Sequence, residues 1–559
     1  MLAILALQGL LLAWAAVQNS QRLNTDALAY LRLAHYYAEG QTDLMVSGYW
    51  GPLLSWLLAL PLKLGLPELA AARLLMALGA VVFALGCLAL FRALGLERRA
   101  VLIGFGFAAG NSVLWSVEYI SPDLLQAGLI CLAVSQMLSA AWLERRRAAL
   151  LAGATWGLAY LAKAIGLPLA LGASAALAAL WAIARPERRR QAAAALALTY
   201  AAFLVVAGPW IAVLSAKYGQ FTFSTTARIA HAVVGPPTVD RYHPTMRTLH
   251  KPEPGRLTSW EDPSRMPYQY WSPSSSAANR EHQLTLIFAN ARTIAALLGG
   301  FDLAHLGLVS MAGAALLLAA RRRAALAEQR WTWVLAPLLC LGGLYLPVYV
   351  ARVDERYFHA AYPMLVGITL GSLGWCANQL SRLAKPVATP RPQAPQPTAE
   401  GYGRVPVLVV RGLWVLALCS FGAPVLLGML AAAQGLTDPA SFFAHDLVTR
   451  FERTGIRGPI AGSGLVAGGR AGLYTAFLMK QPWYGDMLKP SVEDYRGCGA
   501  KVVVISRQHP LTAELDRDPS FANLDKQLGF PPDDASSYPL KVFEVIRAGT
   551  EKAVSRQAR

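Results

Sequence analysis

Residues 69–99, LAAARLLMALGAVVFALGCLALFRALGLERR, carry the pattern that decides the fold. The apolar run over residues 69–95 is long enough for an α-helix to cross the ~30 Å hydrocarbon core of a bilayer. It ends against Glu97-Arg98-Arg99, and basic clusters of this kind collect on the cytoplasmic side of membrane helices. We therefore predict a transmembrane helix whose C-terminal end faces the cytoplasm.

The same pattern recurs along the chain. Of its 559 residues 55% are hydrophobic and 15% charged, whereas a soluble domain carries about a quarter charged residues. Ten further runs are predicted to span the membrane: 2–18, 100–117, 123–143, 148–163, 166–183, 191–214, 293–320, 331–350, 358–376 and 408–433. Eleven spans with a cytoplasmic N-terminus place every arginine cluster inside, among them Arg145–Arg147, Arg185–Arg190 and Arg321–Arg330. This arrangement accounts for the net charge of +18 without a nucleic-acid partner.

The predicted fold class is a mainly α, polytopic helical membrane bundle with a small C-terminal α/β domain. Residues 49–66 are apolar, but Pro52, Pro61 and Lys63 interrupt them, so we interpret them as a helix along the outer membrane interface. Residues 1–433 then form the membrane domain, with outer loops 19–68 and 216–292. Residues 386–406 read as a Pro-rich cytoplasmic linker.

The tail, residues 434–559, is predicted to fold outside the membrane. GPIAGSG (458–464), KVVVISR (501–507) and LKVFEVIR (540–547) have the composition of short buried strands, and residues 441–454 and 467–480 are helix-like between them. This alternation is typical of an α/β domain. We expect the tail to serve acceptor selection or support rather than chemistry.

Charged residues near the apolar layer are the informative ones in a membrane protein, and here they collect on the predicted outer side. They are Asp26, Glu118, Asp123, Lys163, Asp354, Glu355, Arg356 and His359. Taken singly they have structural interpretations: helix caps at Asp26 and Asp123, a lysine that snorkels to the headgroups, and a solvated turn at 354–359. Taken together they supply a carboxylate to accept a hydroxyl proton and cations to stabilise a departing phosphate.

Loop 216–292 holds a second group of candidates. Trp260 and Trp271, with neighbouring tyrosines, suit stacking on a sugar, and the loop has the length of a lid over a site. Its histidines, 231, 243, 250 and 282, match no zinc spacing. The sequence requires no cofactor. Whether Asp26 and Asp123 hold a divalent cation stays open.

Several segments, in order, resemble the GT-C superfamily, above all its dolichyl-phosphate-mannose–protein mannosyltransferase-like group with the bacterial aminoarabinose transferases. They are TDALAYLRLAHYYAEG (25–40), GPLLSWLLALPLKLG (51–65), SPD (121–123), LAKAIG (161–166), GPW (208–210) and ERYFHAAYP (355–363). The resemblance implies a glycosyltransferase that moves a sugar from a polyprenyl-phosphate donor to a protein, lipid or glycan acceptor. It also implies Asp26 as the catalytic residue and places Lys163 and Arg356 at the lipid phosphate. Two motifs depart from the family pattern: Ala27 follows Asp26 where the family often has Asp-Glu, and Ala162-Lys163-Ala164 stands where Thr-Lys-Gly is common.

Two other functions fit part of the pattern. A transporter or flippase of a lipid-linked saccharide would need repeats and broken helices near the bilayer midplane, and the sequence carries no such symmetry. A polymerase or ligase that uses a lipid-pyrophosphate donor is the enzymatic alternative. The expected location is the cell (inner) membrane, with the active site and the tail on its outer side.

Overall fold

The computed structural model describes residues 1–239, 241–301, 329–347, 354–383, 404–463, 467–531 and 538–546. Most of them are helical, and five helical segments are long and apolar enough, by length and composition, to cross a membrane. These are Glu68–Ala93, Arg98–Glu118, Gly166–Ala184, Pro186–Tyr218 and Arg411–Thr454. The predicted mainly helical membrane fold is thereby confirmed, and the count of eleven spans stays a prediction.

The helices follow the apolar runs closely. Up to residue 218 they are Leu2–Gln18, Thr25–Glu39, Thr42–Met45, Pro52–Lys63, Glu68–Ala93, Arg98–Glu118, Asp123–Leu138, Ala140–Glu144, Arg146–Ala162, Gly166–Ala184 and Arg189–Tyr218. After it come Thr226–Ala232, Ala277–Gly300, Arg330–Trp333, Leu335–Tyr345, Ala361–Leu383 and Arg404–Gln434. The helix Pro52–Lys63, in the run that we placed at the interface, has 12 residues and is too short to cross the core.

Two departures from the predicted boundaries have a local cause. The run 123–143 is divided at Ser139, whose hydroxyl accepts from the backbone N–H of Ala141 and begins a new short helix. The helix Ala277–Gly300 begins inside the predicted loop 216–292, because the Ser276 hydroxyl accepts from the N–H of Asn279 and caps it. Most of the run 293–320, the arginines 321–323 and nearly all of the linker 386–406 lie outside the described residues.

Small residues let the membrane helices approach closely. A Cβ atom on Gly86 would lie 2.2 Å from the carbonyl oxygen of Gly128 on the helix Asp123–Leu138. A Cβ on Gly153 would lie 2.0 Å from the carbonyl oxygen of Thr199. Contacts of this kind replace the hydrophobic driving force that helices lack inside a lipid bilayer. They fix the ends of these helices, where the candidate site residues lie.

The tail forms a five-stranded mixed sheet in the order β2-β1-β3-β5-β4. The strands are β1 Ile460–Ser463, β2 Trp483–Met487, β3 Val502–Ser506, β4 Phe521–Asn523 and β5 Leu540–Val545. Strand β1 pairs in parallel with β2 and β3, and β5 pairs antiparallel with β3 and β4. The helices of the tail are Pro439–Thr454, Ala467–Leu478, Val492–Gly497 and Thr512–Leu515. All three predicted strands are confirmed, and β2 and β4 are additional.

The tail packs against the first outer loop. Leu28 and Leu31 of the helix Thr25–Glu39 share a buried apolar cluster with Leu54 and with Tyr474 of the tail. The division of the chain at residues 433 and 434 stays a prediction. The shared cluster places the tail against the helix that begins beside Asp26.

Candidate active site

Four charged side chains from four separate segments meet at one end of the helix bundle. Nη1 of Arg356 lies 2.8 Å from Oδ2 of Asp26 and 3.9 Å from Oδ2 of Asp123. Nζ of Lys163 forms an ion pair with Oδ1 of Asp123. Because Asp123 faces both cations, the two acids and two bases form one continuous network, which we call the charged cluster.

Asp26 lies in the first turn of its helix and does not cap it. The N-cap is Asn24, so our capping interpretation of Asp26 is wrong. The side-chain oxygen of Asn24 accepts from the backbone N–H of Ile120 and so ties the helix start to the turn before Asp123. The carboxylate of Asp26 is thus left available to Arg356.

Lys163 lies directly after the helix Arg146–Ala162, where the backbone becomes extended. Gln126 fixes this helix end, because its amide nitrogen donates to the carbonyls of Ala159 (3.1 Å) and Lys163 (2.9 Å). Residue 51 must be glycine here, since a Cβ would lie 2.3 Å from the carbonyl oxygen of Ala162. The lysine is therefore held from two sides.

Arg356 lies in the 3-10 turn Glu355–Phe358, with Nε 3.0 Å from a carboxylate oxygen of Asp354. Its guanidinium also covers the ring of Tyr119, 4.7 Å from the centroid. Burial lowers the pKa of Arg356, but the carboxylates of Asp26 and Asp123 more than offset this effect and hold the pKa above its ordinary value. The cation is thus fixed in the charged cluster.

Tyrosines line the charged cluster, and sequence reasoning missed them. Nζ of Lys163 lies 3.9 Å from the ring centroid of Tyr357. Burial, together with the charges of Asp123 and Asp26, raises the pKa of Tyr30 well above its ordinary value. Burial likewise raises the pKa values of Tyr49 and Tyr357, so all three phenols stay protonated at neutral pH. The signal in the sequence was adjacency, since Tyr357 directly follows Arg356 in ERYF.

Comparison with known proteins was made by sequence and by structure. No protein-family model matches the chain, and no curated protein matches it in sequence. Its structure is similar to ArnT from Cupriavidus metallidurans bound to undecaprenyl phosphate, with a TM-score of 0.55 and 16% identity over 98% of each chain. The apo state of that protein gives a TM-score of 0.52 at 16% identity over 97% of each chain.

The chain has the fold of ArnT. The similarity runs from end to end and includes the tail. At 16% identity it establishes the fold, and the role of each side chain has to be argued from its own surroundings.

The other predicted acids lie beside the charged cluster. Asp354 contacts Arg356, as described above. Burial raises the pKa of Asp354. Burial also raises the pKa of Glu355, although a hydrogen bond from Trp115 to Glu355 acts in the opposite direction. The carbonyl of Glu118 accepts from Nε of Arg22 at 3.3 Å. These acids add formal negative charge beside the charged cluster.

His359 lies beside the charged cluster, whereas the two tryptophans lie in the outer loop. His359 is buried and its ring stacks on Trp115, with centroids 4.0 Å apart. Trp271 stacks on His231 at 4.2 Å, within the outer loop. Trp260 donates through its indole N–H to Asp486 of the tail at 2.7 Å. The tryptophans are thus in contacts within the protein, and their proposed stacking on a sugar is untested.

Metal binding was tested on the donor groups. In the ranges that the structure describes, no three His, Cys, Asp or Glu side chains are grouped so as to hold a metal ion. The loop histidines have separate partners, for example Gln283 for His231 and Tyr268 for His243. Asp26 and Asp123 both face Arg356, which supplies positive charge between them. A divalent cation at these two acids stays a prediction.

A second ionic network, in the outer loop, was not predicted from the sequence. Lys217 lies 2.7 Å from Asp262, and Arg256 lies 3.7 Å from Asp262 and 3.8 Å from Glu261. Glu261 also accepts from the phenol of Tyr36 at 2.6 Å. This loop network ties residues 256–262 to the helix that carries Asp26.

Proposed function

We propose that this protein is an integral-membrane glycosyltransferase that takes a sugar from a polyprenyl-phosphate donor. The observation that carries the proposal is the charged cluster, with Asp26 2.8 Å from Arg356 and Asp123 paired with Lys163. The fold supports it, because the similar protein ArnT has been seen bound to undecaprenyl phosphate.

The charges suggest how a donor would bind. With Asp354 included, the cluster has three carboxylates (Asp26, Asp123, Asp354) and two cations (Lys163, Arg356), a formal sum of −1. A lipid phosphate therefore has to take over cation contacts that carboxylates hold in the resting protein. Charge-assisted bonds to phosphate are among the strongest hydrogen bonds, and arginine matches phosphate geometry well. We infer that the phosphate replaces Asp26 at Arg356.

That exchange would free Asp26 for catalysis. Its carboxylate would accept the proton of an acceptor hydroxyl, and the hydroxyl oxygen would bond to the anomeric carbon of the sugar. The bond between that carbon and the phosphate oxygen breaks, and the electron pair leaves with polyprenyl phosphate. Attack from the face opposite the phosphate inverts the anomeric configuration. Lys163 and Arg356 would stabilise the charge that develops on the departing phosphate.

We place this site on the outer side of the cell membrane, where the eleven-span topology puts Asp26, Asp123, Lys163 and Arg356. Residues 1–433 would then hold the catalytic machinery, and residues 434–559 would form an outer domain. Reporter fusions after residues 146 and 440 are expected to read cytoplasmic and outer, respectively. A cytoplasmic signal at residue 440 contradicts the placement.

Transfer from defined donors tests the proposed function. Purified protein in nanodiscs is incubated with radiolabelled hexose and pentose derivatives of undecaprenyl phosphate, each in a single anomeric form, together with membrane extracts as the acceptor source. We expect one donor to lose its label to a new product and to release undecaprenyl phosphate. If no donor is consumed and undecaprenyl phosphate does not bind the protein, the proposal is wrong.

A further inference from the structure

The outer loop is attached to the edge of the tail sheet. Strand β2 is an edge strand, and edge strands present unpaired backbone groups. The N–H of Trp483 donates to the carbonyl of Leu257 at 2.7 Å, and the N–H of Leu488 donates to that of Met246 at 2.9 Å. The loop thus covers the exposed edge of the sheet.

Asp486, at the end of this attachment, has an energetically unfavourable backbone conformation and a buried carboxylate. It has a φ of 79°, in the left-handed region that side chains other than glycine rarely adopt, and its side chain is buried. Its oxygens accept from the indoles of Trp260 at 2.7 Å and of Trp483 at 3.4 Å. In the described part of the chain no cation lies within ion-pairing distance of it. A strained, buried and uncompensated carboxylate at one contact point suggests a role in the mechanism.

Trp260 also contacts the first outer loop. Its carbonyl accepts from the indole N–H of Trp50 at 2.8 Å. The ring of Trp50 lies edge-on to Tyr30 and Tyr49, with centroids 5.1 Å and 4.7 Å away. Tyr30 and Tyr49 are the phenols whose pKa values respond to the carboxylate of Asp26.

Trp50 is also next to the glycine that fixes the position of Lys163. Gly51 lies so close to Ala162 that it admits no side chain, and Lys163 follows directly in the chain. Glu261, the neighbour of Trp260, holds the phenol of Tyr36 on the helix of Asp26. The proposed catalytic acid and phosphate-binding lysine are therefore each connected to Trp260 through the series of contacts described above.

We propose that Asp486 is a positioning residue for the transfer reaction: through Trp260 and Trp50 it holds Asp26 and Lys163 in their working geometry. The inference rests on the proposed function. It gives the tail a part in turnover without placing any of its side chains on the substrate. Small displacements of catalytic groups are costly, since a shift of ~1 Å can lower a rate by about 10²-fold.

The test compares matched substitutions in the full-length protein. Asp486→Leu removes the acceptor for Trp260, and Asp486→Asn keeps an oxygen that can accept the same bond. Asp516→Leu is the control, because Asp516 pairs with Lys541 at 2.6 Å in the same sheet domain and contacts neither β2 nor the loop in the ion pairs and hydrogen bonds described. Trp260→Phe removes the partner of Asp486. The readouts are transfer kinetics, thermal midpoint and hydrogen–deuterium exchange.

We expect Asp486→Leu to lower kcat about tenfold or more and to speed amide exchange in residues 25–31 and 159–166. Asp486→Asn should restore most of kcat, and Trp260→Phe combined with Asp486→Leu should be no worse than either alone. Asp516→Leu should change neither kcat nor exchange in those segments. Unchanged exchange and kcat in a folded Asp486→Leu variant overturn the proposal. If the wild-type protein shows no transfer but the exchange difference is present, the proposed function fails and the linkage stands.

Discussion

The charged cluster and the loop network contain the same kinds of residue in opposite settings. In the loop network the side chains of Glu261 and Asp262 are 0% exposed, and Lys217 is 13% exposed. In the charged cluster Asp26 is 26% exposed and Lys163 is 23% exposed. Both have ion pairs of similar length, 2.7 Å for Lys217–Asp262 and 2.8 Å for Arg356–Asp26.

The difference lies in what else satisfies the carboxylates. Glu261 accepts from the backbone N–H groups of Leu257 and Thr258 and from the phenol of Tyr36. Asp262 accepts from Ser47 as well as from Lys217. The hydrogen-bonding sites of these carboxylates are already occupied, so they cannot bind a ligand. A buried pair of this kind fixes geometry more than it adds stability.

The carboxylate of Asp26 is in the other situation. In the described residues, the ion pair with Arg356 is the polar contact that the carboxylate makes, and a quarter of the side chain is exposed to solvent. The comparison teaches that paired charges alone do not distinguish the two clusters, whereas the exposure and unsaturated bonding capacity of Asp26 do. The predictions below separate the two clusters.

The largest effect is expected for Asp26→Asn. The amide keeps the shape of the side chain but cannot take a proton, and loss of a general base costs on the order of 10²-fold or more in turnover. The cost in stability should be smaller than for the loop-network variant described next, since Arg356 keeps its contacts with Asp354 and Asp123 and the N-cap is Asn24. The measurement is transfer from a purified lipid-linked sugar by the folded variant. Turnover close to that of the wild-type protein would mean that another acid, with Asp123 the first candidate, is the base.

The matched substitution in the loop network, Asp262→Asn, should act on stability. It leaves Lys217 and Arg256 facing a neutral amide, and breaking a buried ion pair by removing one partner costs roughly 3–5 kcal/mol. We expect a lower thermal midpoint, with kcat of the folded protein within a few-fold of the wild-type value. Thermal unfolding followed by transfer assays below the midpoint measures both. A hundredfold loss of kcat without a change in stability would make this network part of the active site.

A smaller effect is expected from the pH dependence of Asp486. Burial raises its pKa to about 6, above the value of ~3.9 for an exposed aspartate. The folded state therefore binds the proton more tightly, so this group lowers stability as pH rises from about 4 to about 6, and the cost is constant above that. His243, whose ring contacts Trp260, acts in the opposite sense, because burial lowers its pKa to about 4. Its contribution to stability therefore rises with pH between about 4 and the ordinary histidine value of ~6.5.

Asp486→Asn removes that titration. At pH 7 the variant should be about as stable as the wild-type protein or more stable, by up to ~2 kcal/mol. The difference in thermal midpoint between the variant and the wild-type protein should widen as the pH rises from 5 towards 7. Thermal unfolding at pH 5, 6 and 7 decides the point. An identical pH dependence in both proteins would show that Asp486 is not the titrating group.

Much of the fold could be predicted because its signals are local. The run 69–95 becomes the helix Glu68–Ala93, and KVVVISR contains strand β3, Val502–Ser506. Strand β2 was missed because WYGDM contains Gly485 and Asp486, which are poor strand formers. Strand β4 has three residues and gives too short a pattern to be recognised.

The site could be predicted only in part, because its contacts are not local. Asp26 and Arg356 are 330 positions apart, and topology suggested only that they share one side of the membrane. The pairing of Glu261 with Tyr36, and of Trp260 with Asp486, depends on how the loop packs between the tail and the first helices. No spacing within the loop sequence carries that information. The helix begins after Asn24 rather than at Asp26, and the side chain of Asn24 accepts from the distant N–H of Ile120, which the local sequence does not reveal.

Binding of undecaprenyl phosphate by Lys163→Met and Lys217→Met tests the central claim most directly, since each variant removes one ammonium group that pairs with a buried carboxylate. The measurement is the Kd of the lipid for each folded variant in nanodiscs, with the wild-type protein as reference. A charge-assisted hydrogen bond contributes about 1.5–3 kcal/mol, so we predict that Lys163→Met raises the Kd by at least about tenfold and that Lys217→Met leaves it within a few-fold. Equal affinities for the Lys163→Met variant and the wild-type protein would contradict the assignment of the charged cluster as the phosphate site.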